Sequence, residues 1–243
     1  MTQFSRGTIP FIEAALGSWQ FSIRREPLSQ RQLSQQYDHV SSRWHNLLGR
    51  LGYRGGYHRA FKQIIEQMDV PPTDAALQLL DCGIGTGAFS LAFAANWQGQ
   101  LHLDGIDISA AMITHAADRL QAAGLDANLR QGDVCRLPYQ SEQFDVVIAA
   151  HVIEHITEPT HALQEMYRVL KPGGWLVTAV TRRSLLGKYI QIKWRVHGRS
   201  RSGVESWLRQ SDFMVENMNL EASGLFAQTS LVCVARKRLP SSP

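Results

Sequence analysis

The chain has 243 residues, 44% hydrophobic and 19% charged, with a formal net charge of +4, the profile of an ordinary soluble globular protein rather than a disordered or fibrous one. Cys82, Cys135 and Cys233 form no CxxC pair, which excludes a disulfide framework or thiolate zinc site and sets the expectation of a reducing, cytoplasmic setting. No apolar run of about 18 residues occurs, so no membrane span is expected; the mild positive charge permits a nucleic acid, a membrane surface or an anionic substrate and selects none.

Residues 1–34 show no pattern that we can read. Tyr37, Val40, Trp44, Leu47, Leu48 and Leu51 recur at helical spacing, Gly49, Gly52, Gly55 and Gly56 loosen the chain, and Tyr57, Phe61, Ile64, Ile65 and Met68 form a second helical stripe that Pro71-Pro72 ends. An N-terminal helical cap over 1–72 is therefore expected ahead of a main domain over 73–243. There the pattern alternates strand and helix. The apolar run at 76–81 reads as a buried parallel strand, 101–108 as a second, 127–131 as a third with a weaker pattern, and 144–150 and 175–180 as a fourth and fifth. Helices between them carry Phe89, Ala92 and Phe93; then Met112, Ala116 and Leu120 behind a Ser109 cap; then Leu163, Met166, Tyr167 and Leu170 behind Pro159. Gly173-Gly174 reads as the stop of that last helix. A helix at 203–211 and two antiparallel strands, around 213–221 and 228–236, close the chain. The expected fold is α/β: a Rossmann-like, seven-stranded, mostly parallel sheet with helices on both faces.

The turn Asp81-Cys82-Gly83-Ile84-Gly85-Thr86-Gly87 leaves the first strand of this domain. Its glycines let backbone approach a ligand closely, and the helix start behind them favours a carboxylate or phosphate. Gly83, Gly85 and Ala88 also satisfy the GxGxxG/A spacing of dinucleotide sites, so the turn alone leaves the ligand open. Asp107 ends the second strand, 20 residues after Gly87. A carboxylate there can accept from both ribose hydroxyls, or simply favour the helix dipole.

Gly132-Asp133-Val134, Leu137-Pro138, Phe144-Asp145-Val146-Val147 and Leu170-Lys171-Pro172-Gly173-Gly174 follow in order. With Asp81–Gly87 and Asp107 they resemble the motif series of class I methyltransferases that use S-adenosylmethionine (SAM). The resemblance is close over 76–181 and extends in pattern over 203–236. It is nearest to the small-molecule group that includes ubiquinone-pathway enzymes. It implies that Asp81, Gly83, Ile84, Gly85, Thr86 and Gly87 hold the methionine part of SAM and that Asp107 binds the ribose. Ile108 and Met112 would pack on adenine. Asp133 would accept from its amino group beside the Val134 backbone, and Ala149, Ala150 and His151 would floor the sulfonium.

His151, Glu154 and His155 lie just past the fourth strand, where the resemblance places the acceptor, and each is a candidate general base. The string is also HxxEH, a zinc-peptidase pattern, but that needs a helix carrying both histidines. A related ExxEH metal arrangement has Glu where His151 stands, so no divalent metal is expected. Tyr37 is a candidate lid residue that could instead pack on Val40 and Trp44. Segment 181–202 interleaves Arg182, Arg183, Lys188, Lys193, Arg195, Arg199 and Arg201 with apolar residues. It reads as part of the pocket for an anionic or lipophilic acceptor, as a peripheral membrane contact, or as a solvated basic loop. The expected function is methyl transfer from SAM to a small molecule. The alternatives are methylation of nucleic acid or protein, a non-catalytic binding module, or a nicotinamide enzyme. AAHVIEH lacks the Asn/Asp-Pro-Pro-Tyr/Phe signature of many base methylases, so nucleic acid is not the favoured partner.

Overall fold

A computed structural model describes residues 9–16, 19–25, 32, 52–68, 75–184, 199–216, 220 and 224–239. Two strands, β1 (Ile9–Leu16) and β2 (Trp19–Arg25), pair antiparallel, Leu16 opposite Trp19. The cap expected to be helical over 1–72 therefore includes a β-hairpin. Its one described helix of length is α1 (Tyr53–Gln67). α1 takes in Gly55 and Gly56, which had suggested a loosened chain. Gly56 is needed there: a Cβ would stand 2.5 Å from the Phe226 ring. The stripe at 37–51, Tyr37 included, lies outside the described residues.

The main sheet has seven strands in the order β5-β4-β3-β6-β7-β9-β8. They are β3 (Leu77–Cys82), β4 (Leu101–Asp107), β5 (Ala127–Gln131), β6 (Phe144–Ala150), β7 (Leu170–Thr181), β8 (Met214–Glu216) and β9 (Ser230–Arg236). β3 to β7 run parallel, and β9 is antiparallel to both β7 and β8. α2 (Ala88–Ala94), α3 (Ala110–Ala122), α4 (Pro159–Val169), α5 (Arg201–Gln210) and α6 (Gly224–Thr229) complete the chain.

Successive side chains of a strand face opposite sides, which splits the core in two. Leu77, Leu79, Val146, Ile148, Val177 and Val234 pack with α1, α2, α3 and α6. Leu80, Cys82, Val147, Leu176 and Cys233 pack with α4 and α5. Burial of each such Leu or Ile stabilises by about 1.5–3 kcal/mol. Strand order reverses between β3 and β6, and the crevice beyond their carboxyl ends is where ligands bind in such sheets.

One expectation is corrected. Lys171–Gly174 is not a turn ahead of a strand: α4 ends at Val169 and β7 starts at Leu170. The segment is an irregular strand start, its register to β6 slipping between Phe144 and Val146. Gly173, at φ 76, accepts from Arg236 Nε and donates its N–H to the Lys237 carbonyl. Of the strand expected around 213–221, Met214–Glu216 form β8; 217–219 and 221 lie outside the described residues.

Candidate active site

β3 ends in a buried carboxylate. Asp81 is 1% exposed; its Oδ2 accepts from Ser90 Oγ at 2.5 Å, and its Oδ1 is buried with no partner among the described residues. Burial pushes this carboxyl up to about 7, against the Ser90 hydrogen bond. The turn that follows takes left-handed backbone at Gly83 (φ 71), Gly85 (φ 54) and Gly87 (φ 73). A Cβ on Gly83 would lie 2.3 Å from Val152 Cγ2, whereas one on Gly85 would meet nothing nearer than 4.0 Å. The turn thus packs on the β6 loop at Gly83 and faces open space at Gly85. Ile84 is buried, its N–H on the Ile106 carbonyl. Thr86 is buried too, its carbonyl gripped by Arg119 of α3, a brace the sequence did not suggest.

Asp107 closes β4, 7% exposed. Oδ2 accepts from the Gly85 N–H at 2.8 Å and Oδ1 from the Ser109 N–H at 2.9 Å. The residue expected at the ribose therefore also holds the glycine turn. Each oxygen has a second lone pair, so both tasks are compatible. Ile108 is half-buried, and Met112 is buried in the first turn of α3. Asp133 Oδ1 accepts from the Cys135 N–H, and the Val134 side chain belongs to the core. Ala149 is also core, packed on the α4 side, so it does not line the crevice; Ala150, half-buried, faces the other way.

His151 follows β6 at φ 57, a conformation that costs a non-glycine residue about 1–3 kcal/mol and recurs at functional sites. Its N–H to the Ala179 carbonyl, 2.7 Å, fixes it. Nδ1 lies 3.1 Å from Glu154 Oε1 and 3.3 Å from Thr181 Oγ1, and Nε2 lies 3.3 Å from Ser230 Oγ. Glu154 Oε1 also accepts from Thr181 N and Oγ1, both at 2.9 Å. Burial would raise the Glu154 carboxyl, but the His151 hydrogen bond, the two neighbouring histidines and the Thr181 N–H outweigh it and hold the group below the usual carboxylate range. A carboxylate only accepts, so the proton belongs on His151 Nδ1 and Nε2 is left basic. His155 is different: burial pushes its imidazole down to about 4. It lies in the single 3₁₀ turn Ile153–His155, not on a helix that could present two histidines to zinc.

Tyr53 was missed in the sequence, masked by the glycines around it. Its ring centroid is 6.0 Å from that of His151, and its hydroxyl is 2.6 Å from Thr229 Oγ1. Thr181 and Ser230 were missed as well, since nothing local in a strand marks which partner its end will meet. Next to this group, beyond β7 and β9, opens a cavity of about 520 Å³ whose lining includes Ser230 and Phe226.

The methyltransferase-domain family matches residues 80–178. Over 134 residues the chain is 31% identical to the ubiquinone/menaquinone biosynthesis C-methyltransferase UbiE of Vibrio campbellii, covering 54% of this chain and 51% of that protein. Over 137 residues it is 31% identical to the demethylmenaquinone methyltransferase of Bacillus cytotoxicus, covering 56% of each. The chain thus spans about half the length of the curated relatives it matches. Among solved structures it is similar to the magnesium protoporphyrin IX methyltransferase of Synechocystis PCC 6803 with bound SAH (TM-score 0.68, 16% identity, 86% of this chain and 100% of that one). It is similar also to the [4+2]-cyclase SpnF (TM-score 0.69, 21% identity, 88% and 97%). At such identity these two likenesses concern the fold alone. Over residues 80–178 the chain matches a methyltransferase domain, and its sheet order and glycine turn accord with that match.

Proposed function

We propose that the protein transfers a methyl group from SAM to a small-molecule acceptor held in the cavity beside His151. The carrying observation is the unpartnered, buried Oδ1 of Asp81 behind an open glycine turn that Asp107 grips. That arrangement fits a ligand with an ammonium at one end and ribose hydroxyls further along. Asp81 receives the ammonium, the Gly85 backbone lies against the methionine chain, and Asp107 accepts from the ribose. Ile108, Met112 and Asp133 form the adenine end. SAM, when bound, supplies a methyl on a positively charged sulfur. The protein aligns donor and acceptor and keeps water out; Tyr53, Tyr57 and Phe226, packed ring to ring, serve the latter.

His151 Nε2 takes the proton of the acceptor nucleophile, displacing the long Ser230 contact. Glu154, ionised and fixed by Thr181, stabilises the imidazolium that results. His155, with its depressed basicity, stays neutral and shapes the turn. In this reading residues 1–72, with Tyr37, cover the site and 73–243 carry it. The cytoplasm is the proposed location, in keeping with three free cysteines; among the described residues no helix is long and apolar enough to cross a membrane.

Calorimetry with S-adenosylhomocysteine, with NAD as control, tests the cofactor assignment. Micromolar binding of the first alone is expected. NAD binding without it would make the protein a nicotinamide enzyme. An acceptor screen with labelled SAM, with and without EDTA, then tests methyl transfer.

A further inference from the structure

The cavity beside His151 has an unusual wall. Its described lining holds Arg59, Arg182, Arg183, Arg199 and Arg201 and no acidic residue. None of the five makes an ion pair among the described residues. Backbone pairing gathers three of them regardless of their mutual repulsion: the Arg183 N–H donates to the Arg199 carbonyl at 3.1 Å and the Arg199 N–H to the Thr181 carbonyl at 3.0 Å. The Arg182 guanidinium is pinned by the Ala227 carbonyl at 3.0 Å. Arg199 lies over the Trp207 ring at 4.3 Å, and its Nε is buried with no acceptor among the described residues. Burial lowers the pKa of Arg199, with the Glu154 charge pulling the other way. The N-terminus of α5, capped by Ser200, faces the same space and adds its partial positive charge. The lining also includes the apolar Phe226, Leu231 and Val232.

Arg59, Arg182, Arg183 and Arg201 are exposed and Arg199 is half-buried; positive charge lining one cavity, with one unmade buried hydrogen bond, suits an anion. Five arginines exceed what a single carboxylate balances. The volume falls within the roughly 300–1,000 Å³ of small-molecule sites, and the apolar part of the lining suits an apolar partner. Building on the methyl-transfer reading above, we propose that the acceptor carries a phosphate or diphosphate, seated among the arginines, on an apolar body that lies against Phe226 and Leu231.

Hexyl phosphate, hexanol and inorganic pyrophosphate would be titrated calorimetrically into the full chain, into R199Q and R59Q, and into R209Q, whose arginine pairs with Glu205 outside the cavity. S-adenosylhomocysteine would be titrated into the same samples. Expected are binding of hexyl phosphate and pyrophosphate but not hexanol, loss of at least about tenfold in R199Q and R59Q, no change in R209Q, and one S-adenosylhomocysteine affinity throughout. Equal weakening in R209Q would reduce the effect to general surface charge and overturn the proposal. S-adenosylhomocysteine binding without phosphate binding would overturn it too, leaving methyl transfer standing. Phosphate binding without S-adenosylhomocysteine binding would sink the methyl-transfer reading and, with it, the acceptor role of the cavity. Sedimentation with phosphatidylglycerol vesicles supplies the last arm: capture by vesicles with no affinity for soluble hexyl phosphate would reassign the arginines to a membrane surface.

Discussion

In the proposed reading, Asp81 is where a proton and a ligand ammonium compete. Its carboxyl titrates near 7 because burial disfavours the charge, and a bound ammonium would favour that charge. Affinity for S-adenosylhomocysteine should therefore rise with pH toward 7, by up to about tenfold per unit. Asp81→Asn should bind weakly at every pH, with this slope gone; a wild-type affinity flat from pH 5 to 7 would remove Asp81 from the cofactor site. In the same reading His151 acts on the other substrate. His151→Ala should lower turnover by roughly 10²–10⁴-fold while leaving S-adenosylhomocysteine affinity within about threefold. Equal loss of both would make it part of the cofactor pocket. Asp81, Asp107 and His151 could be read from the sequence because each ends a strand whose apolar run fixes its position. Ser230, Thr181 and Tyr53 could not, because they meet His151 through pairings 30 to 98 residues apart in the chain.

At the scale of elements, the glycine turn and the β6 loop are one packed unit. Gly83→Ala would put a methyl against Val152 in a left-handed backbone. It should lower unfolding stability by about 1–3 kcal/mol and abolish measurable S-adenosylhomocysteine binding; urea unfolding and calorimetry check the two. β6 was legible to the residue, since FDVVIAA is apolar but for Asp145 and its Val146 to Ala149 are buried on both faces. The hairpin was not. Trp19, Phe21 and Ile23 alternate with polar residues, but over too short a stretch to outweigh the helical stripes that follow. Lys171–Gly174 misled for a related reason: two glycines signal a turn, whereas here they admit a bulge where Arg236 and Lys237 cross over the strand.

In the whole molecule the titrating groups act against one another. Asp81, raised from 3.8 to about 7, contributes stability that is present at low pH and is lost as pH rises through that window. His155, lowered from 6.5 to about 4, contributes stability that is present above 6.5 and is lost as pH falls toward 4. Between pH 4 and 6.5 their slopes offset. Asp81→Asn should uncover the histidine, making stability fall more steeply on acidification than in the wild type, by up to about 1.4 kcal/mol per pH unit. Urea melts at pH 6.5 and 4.5 decide; parallel losses in the two proteins would refute the coupling. The sheet order has a consequence in time. β9 is threaded between β7 and β8, strands that leave the ribosome before it. Until residues 230–236 emerge, β7 is an open edge, β8 has no strand to pair with, and His151 has no Ser230 opposite it. On the methyl-transfer reading, the half of the crevice that would hold the cofactor can assemble during synthesis. The half that would choose the acceptor has to wait, so a stalled nascent chain would be a binder before it could be a catalyst.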